Sequence, residues 1–243
     1  MPDTCFCVPD KNSIEYLIEK TRSGILNAEI YTALHADSNL FNFRIAKADN
    51  EILGVIYNNG DNFLFSAFND CFFEEATDFF AFSGNNVFSS DENLRRLNLP
   101  ESDIYILKGK KELCENEARL LSGREIQDMY KSISGNSSLS ADEEIRYVRY
   151  IKAINASLSA VFGIEENGKL VSFAAVCASN SDTALIGDVF TLPEYRKKGY
   201  GAQCVRACIN FAAKQNKTPF VFCEEKNIKF YENLNFEVNY VGM

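Results

Sequence analysis

Apolar runs of strand length alternate with stretches of helical periodicity along this chain, and the order in which they do so occurs twice. The segment SLSAVFGIEENGKLVSFAAVCASNSDTALIGDVFTL, residues 157–192, reads as three strands rich in Val, Phe, Ile and Ala. Its turns fall at Glu166-Asn-Gly168 and Ser179-Asn-Ser-Asp182, built from residues that tolerate positive φ or bond their own backbone. The segment LFNFRIAKADNEILGVIYNNGDNFLFSAF, residues 40–68, repeats the plan with turns at Asp49-Asn50 and Asn58–Asp61. Two helical patterns precede each set of strands. In the second half one opens on the capping box Ser122/Glu125 and carries Ile126, Met129, Tyr130 and Ile133 on one face. The next opens on Ser140/Glu143 and carries Ile145, Val148 and Ile151. Asn12–Lys20 and Ile25–His35 hold the equivalent places in the first half. Both halves then continue as helix, strand, helix, strand. The joint is expected in KGKKELCENEA, Lys108–Ala118, the most charged stretch without apolar periodicity, which gives two domains, 1–110 and 111–243.

Composition narrows the function classes. The chain has 243 residues, 46% hydrophobic and 24% charged, as a soluble globular protein with a proper core has. No run approaches the roughly 18–20 apolar residues of a membrane span, so no membrane partner is expected. MPDTCFCVPDKNS at the N-terminus lacks a basic start followed by an apolar stretch, and a cytoplasmic location is the expectation. A net charge of −9 sets the surface against nucleic acid and mildly in favour of a cationic partner such as an amine, although solubility is the plainer account of it. The eight cysteines form no CxxC, and His35 is the sole histidine. Metal-ligand spacing is therefore absent, and so is any His-based nucleophile triad. The chemistry has to run on carboxylates, tyrosines, backbone groups or a cofactor.

The halves differ after the third strand of each set. In the second half comes Thr191-Leu-Pro193-Glu-Tyr-Arg196-Lys-Lys-Gly199-Tyr-Gly201-Ala202, then an amphipathic helix with Ala202, Val205, Cys208, Ile209 and Ala212 on one face. Glycines at a strand-to-helix turn let bare amides point outward, the helix N-terminus adds partial positive charge, and Arg196, Lys197 and Lys198 add whole charges. Such a turn suits a pyrophosphate; a solvated basic reversal is the plainer alternative. It is neither a dinucleotide fingerprint, since Cys204 stands where a third glycine is needed, nor a P-loop. The first half reads NDCFFEEATDFFAFSG at this place. It has no glycine before the helix, and Asp70, Glu74 and Glu75 stand in place of cations. One working copy and one structural copy are expected.

Arg196-x-x-Gly199-x-Gly201, introduced by Thr191-Leu-Pro193-Glu-Tyr195, resembles motif A of the GNAT superfamily of acyl-CoA-dependent N-acetyltransferases, and FYENLNF, Phe230–Phe236, resembles the ending of its motif B. The resemblance covers about residues 117–243; the first half is similar in plan only. It implies an α/β (α+β) fold of two tandem GNAT-like domains, each a mixed, mostly antiparallel sheet flanked by helices. In this reading 1–110 is a degenerate domain without a pyrophosphate loop and 111–243 the catalytic, acetyl-CoA-binding one. Val189, Phe190 and Thr191 would pair with the pantetheine arm. The amides of Lys197, Lys198, Gly199, Tyr200, Gly201 and Ala202 would hold the diphosphate, with the Arg196, Lys197 and Lys198 side chains assisting or lying in solvent. Gly187 would mark a strand bulge or merely accommodate packing. Tyr231 matches the family tyrosine that protonates the departing CoA thiolate; a core tyrosine is the alternative.

The implied reaction is direct attack of a neutral amine on acetyl-CoA, with a small-molecule or peptide amine as acceptor and no metal. A lysine-like amine, pKa about 10.4, needs a base at neutral pH, and Asp188 and Glu224 are the two candidates. The acceptor's binding residues are expected from the two helices that open the second half, from the Asn180 turn, and from the first half as a wall. The rival reading is an acyl-CoA-binding regulatory or interaction module without turnover. Two departures stand out: Glu224 occupies a place where the family often has Asn, and Asn235 replaces a helix-ending Gly. The chain also stops soon after the strand that follows Phe236, so the family's final strand is expected to be missing or supplied by the first half.

Overall fold

A computed structural model describes residues 5–36, 40–60, 62–83, 86–89, 91–99, 104–134 and 138–241. The first half runs β1 (Cys5–Cys7), α1 (Lys11–Thr21), α2 (Ala28–Ala36), β2 (Phe43–Ala48), β3 (Glu51–Asn58), β4 (Asn62–Ala67), α3 (Cys71–Ser83), β5 (Asn86–Phe88), α4 (Asp91–Arg96) and β6 (Ile104–Gly109). The second half runs β7 (Arg119–Leu120), α5 (Gly123–Ser134), α6 (Ala141–Asn155), β8 (Ala160–Glu166), β9 (Lys169–Ser179), β10 (Thr183–Thr191), α7 (Tyr200–Lys214), β11 (Thr218–Glu224), α8 (Ile228–Glu232) and β12 (Phe236–Val241). The two lists match element for element. The fold is the mixed α/β arrangement expected: two sheets flanked by helices, antiparallel except for the β4–β5 and β10–β11 pairs. Among the described residues no helix is long and apolar enough to cross a membrane.

Local chemistry explains the boundaries. The β2–β3 reversal rests on Asp49 and Asn50 at φ 46° and 73°, and the β8–β9 reversal on Asn167 and Gly168 at φ 55° and 78°. Successive left-handed residues match the twist of an antiparallel pair. Ser140 and Glu143 close a capping box on α6, and Ser122 with Glu125 does the same for α5. The buried face of α6 differs from the expected one. Ile145 and Val148 are exposed, and Tyr147, Tyr150, Ile151 and Ile154 pack inward, because the two tyrosines offer more apolar surface than the aliphatics they displace.

The sheets are not separate. Their strand orders are β1-β2-β3-β4-β5 and β12-β6-β11-β10-β9-β8-β7. β6, on the first-half side of the expected joint, lies antiparallel between β11 and β12, with Leu107 opposite Val221 on one side and Val238 on the other. The missing final strand is thus supplied by the first half. Leu107 is fully buried in the second core with Val221, Tyr231, Leu234 and Phe236. Further contacts lock the halves together. Thr32 of α2 donates its hydroxyl to the Ser179 carbonyl and accepts the Ser179 amide, both at 2.9 Å. Ala28 packs on Ala178 and Leu185. Asn180, expected near an acceptor, instead donates to the Gly24 carbonyl at 2.8 Å and accepts the Thr183 amide at 3.0 Å, so its turn is part of this joint. The connecting segment is strapped along α7, where Asn210 bonds both backbone groups of Cys114 at 2.7 Å and Gln203 accepts the Glu117 amide at 3.1 Å.

Truncating Leu107 removes a first-half side chain from the second core. Leu107→Ala is expected to lower global stability by about 2–5 kcal/mol, read as a shift of the denaturant midpoint. Both halves should lose structure in one transition.

Candidate active site

The turn between β10 and α7 is built to leave donors free. Lys197 and Gly199 hold left-handed conformations, φ 64° and 86°, and Gly199 is the N-cap with no side chain capping the helix. The first helical bond runs from the Gln203 amide to the Gly199 carbonyl at 3.1 Å, so the amides of Tyr200, Gly201 and Ala202 precede it without intrahelical partners. Gly201 faces the end of β10. A Cβ there would lie 3.2 Å from Thr191 Oγ1, 3.8 Å from Val189 and 3.9 Å from the Phe230 ring. The cations are partly committed. Arg196 Nε donates to the Thr191 carbonyl at 3.1 Å, and Lys198 lies 3.5 Å from Glu166 and 4.8 Å from the Tyr195 ring centroid. Tyr200 donates its hydroxyl to Glu166 at 2.7 Å. Lys197 is exposed. Thr191 is held by a local chain in which Ser172 Oγ donates to the Phe190 carbonyl at 2.9 Å and sits 2.8 Å from the Thr191 hydroxyl.

The first half fills the same place. α3 begins with the Cys71 amide bonded to Asn69 Oδ1 at 3.0 Å, and Asp70 is paired with Arg96 at 2.9 Å. Counted from the helix start, Phe72 stands where α7 has Gly201, and it packs so tightly on Gly54 that a Cβ there would lie 2.3 Å from its ring. A capped terminus behind a phenylalanine offers nothing to an anion.

β10 pairs with β11 only from Thr183 to Ile186, although it continues to Thr191. Beyond Ile186, Val189, Phe190 and Thr191 have β9 as their only strand neighbour among the described residues. The register against β9 slips by one residue between Gly187 and Phe190, and the residue out of the pleat is Asp188, at φ 48°. The bulge is therefore at Asp188 rather than at Gly187. The glycine's own role is close approach, since a Cβ on Gly187 would stand 2.8 Å from Cys177 Sγ.

Asp188 projects into a cavity of about 560 Å³ bounded by β9 and β10, by α5 and α6, and by α2 and the β3–β4 turn of the first half. Its carboxylate accepts the Tyr150 hydroxyl at 2.5 Å, and the Cys177 thiol lies 3.1 Å from the same hydroxyl oxygen. Burial first, then the charge of Asp188, pushes both Tyr150 and Cys177 well up, so Cys177 stays a thiol and Tyr150 a donor at neutral pH. Tyr130 is pushed up for the same two reasons. On the facing wall Glu29 accepts the Asn59 side-chain amide at 3.3 Å, and burial raises its carboxyl. Arg149 donates to the Asn59 carbonyl at 2.7 Å. Ile133, exposed by area, lines this cavity. Nothing in α2 marked Glu29 in advance, because one carboxylate on an amphipathic helix reads as a solvated one.

Tyr231 lies in the second core against Phe230 and Phe236, ring centroids 4.9 and 5.7 Å away, and burial holds its phenol well above the ordinary range. Glu224 sits exposed at the end of β11, 2.5 Å from Lys226 Nζ.

The match to known proteins follows this geometry. The model of the acetyltransferase (GNAT) family aligns with residues 125–236. Residues 125–236 are a GNAT domain. Solved structures share the fold over nearly the whole chain, among them the following two. A GNAT-family acetyltransferase from Colwellia psychrerythraea superposes with a TM-score of 0.61 at 13% identity, over 98% of this chain and 97% of its own. A tandem GNAT protein from the clavulanic acid biosynthesis pathway gives a TM-score of 0.59 at 10% identity, over 99% and 96%. A GNAT acetyltransferase from Novosphingobium aromaticivorans aligns more narrowly, with a TM-score of 0.47 at 19% identity, over 57% of this chain and 60% of its own. No curated protein sequence matches the chain.

The GNAT turn depends on one left-handed glycine. Gly199→Ala has open space for its methyl but the wrong backbone preference, so it should cost about 1–2 kcal/mol in equilibrium unfolding without disturbing the core.

Proposed function

We propose that the protein is an N-acetyltransferase that moves the acetyl group of acetyl-CoA to a primary amine by direct attack. One observation carries this: the run Val189–Thr191, which β11 leaves uncovered on its far side, joins the bare amides of the Lys197–Ala202 turn at one end to Asp188 and the cavity at the other. A donor whose diphosphate rests on those amides and whose arm pairs with Val189–Thr191 would bring its thioester to the bulge. Helix-terminal amides are the feature an anionic diphosphate recognises, with Arg196, Lys197 and Lys198 around them.

Each group has a task in this reading. Asp188, directly or through one water, takes the proton from the acceptor's ammonium, and Tyr150 fixes the carboxylate's orientation. The amine nitrogen forms a bond to the acetyl carbon as the carbon–sulfur bond breaks. Tyr231, kept protonated by its surroundings, gives its proton to the leaving thiolate, and the second proton that the nitrogen sheds on becoming an amide restores the phenol. The held thiol of Cys177 argues against a thiolate nucleophile and a covalent intermediate. Glu224, paired outside the cavity with Lys226, is the weaker base of the two.

Acetyl-CoA should raise the melting temperature by mass action, and CoA should be released only when an amine is supplied. Binding without release on any amine would instead favour an acyl-CoA-binding module. Tyr231→Phe is expected to lower kcat by about 10²-fold with little change in acetyl-CoA affinity, and Asp188→Asn to lower kcat/KM for the amine by a similar factor. Because burial moves the Tyr231 pKa upward, its phenol is not lost as the medium becomes alkaline. The rate should therefore climb as the acceptor deprotonates, toward about pH 10.4 for a lysine-like amine, and a fall across that range would argue against Tyr231 as the donor.

A further inference from the structure

We infer that Glu29, a residue of the half without a pyrophosphate turn, is a second cation subsite, and that the acceptor is a diamine held with one ammonium at Asp188 and the other at Glu29. This rests on the reading of the cavity as the acceptor site. Both carboxylates line the same space from opposite halves of the chain.

Glu29 is poorly satisfied by the protein itself. Its carboxylate can accept about four hydrogen bonds. It receives one, long at 3.3 Å, from the Asn59 side-chain amide. Among the described residues no cation stands within ion-pair distance of it. Arg149 is near enough to lower its pKa, but its Nη1 is directed to the Asn59 carbonyl at 2.7 Å and its guanidinium sits over the Tyr57 ring, 6.0 Å from the centroid. Burial and the like charge of Asp188 both act against the ionised form of Glu29.

A half-buried carboxylate facing another carboxylate is an unfavourable arrangement for the empty protein. A chain with an ammonium at each end removes both costs at once, since each carboxylate gains an opposite charge and the two no longer repel. The walls suit the link between the ends, since Ala33, Ala36 and Ile133 are apolar. The remaining charged groups, Glu143, Arg146 and Arg149, all lie on α6, so Asp188 and Glu29 are the carboxylates that β10 and α2 bring to the cavity.

The test uses three acceptors of equal reach, namely butylamine, putrescine and γ-aminobutyrate, on the full-length protein. Calorimetry without an acyl donor reads binding, and CoA release with acetyl-CoA reads turnover. Putrescine should bind about tenfold or more tighter than butylamine, a difference of about 1.4 kcal/mol, and γ-aminobutyrate should bind most weakly. Glu29→Gln should bring putrescine and butylamine within about twofold of each other. It should also raise the melting temperature of the ligand-free protein, which a carboxylate kept for stability would not do. Equal binding of butylamine and putrescine by the unaltered protein overturns the inference, whatever the variant does. So does preference for γ-aminobutyrate, which would assign the polar end to Arg146 and Arg149. Glu29-dependent putrescine binding with no CoA release from any amine would keep the subsite and sink the transferase reading, so the two fail separately.

Discussion

Every feature of the site depends on the hydrogen bonding of β6 between β11 and β12. Without that strand, β11 has no neighbour on the side away from β10, and Tyr231 and Phe236 lose Leu107 from their core. With it, the last strand of the first half is part of the second sheet, and α2 is drawn onto β9 and β10. The cavity walls are then set by ladder bonds and packed apolar faces, not by a hinge. A site assembled from two such elements can hold opposite groups at fixed separation, which polar recognition of a small molecule requires.

The two copies of the plan differ in how they treat the turn before α7 and its counterpart before α3. Gly201 leaves room beside Thr191 and Val189, whereas Phe72 closes the corresponding corner against Gly54. Gly199 leaves the start of α7 uncapped, whereas Asn69 caps α3. The rings of Phe63, Phe65, Phe72, Phe73, Phe79 and Phe80 then form a continuous cluster in the first half. Surface that would serve a ligand has become packing, with the apolar burial that implies.

What the chain discloses on inspection follows from how local each feature is. The turns at Asp49-Asn50 and Asn167-Gly168, the capping boxes and the Lys197–Ala202 bend are written in adjacent residues, because backbone φ and capping chemistry are decided within a few positions. The tandem plan was legible for the same reason, as a succession of local patterns. The partner of β6 was not, since both faces of a central strand are covered and its alternation does not say by what. The inward face of α6 was misjudged because Tyr147 and Tyr150 count as polar in a simple pattern while burying large rings. The bulge lay one residue beyond the glycine that drew attention, at an aspartate, a residue type that also tolerates the left-handed region. Glu29 owes its place in the cavity to contacts across 159 positions of chain, the separation between it and Asp188, and no window of sequence spans that.

The position of β12 also bears on how the molecule is made. β6 is synthesised more than a hundred residues before the strand that covers its outer edge, so a nascent chain already carrying β11 still presents a row of unpaired amides and carbonyls along Ile104–Gly109. Open strand edges of this kind template association with other chains. Closure comes only when β12, Phe236–Val241, pairs with it. β12 therefore acts as a latch on the seam between the two halves, covering an edge that the first half contributes and cannot itself protect.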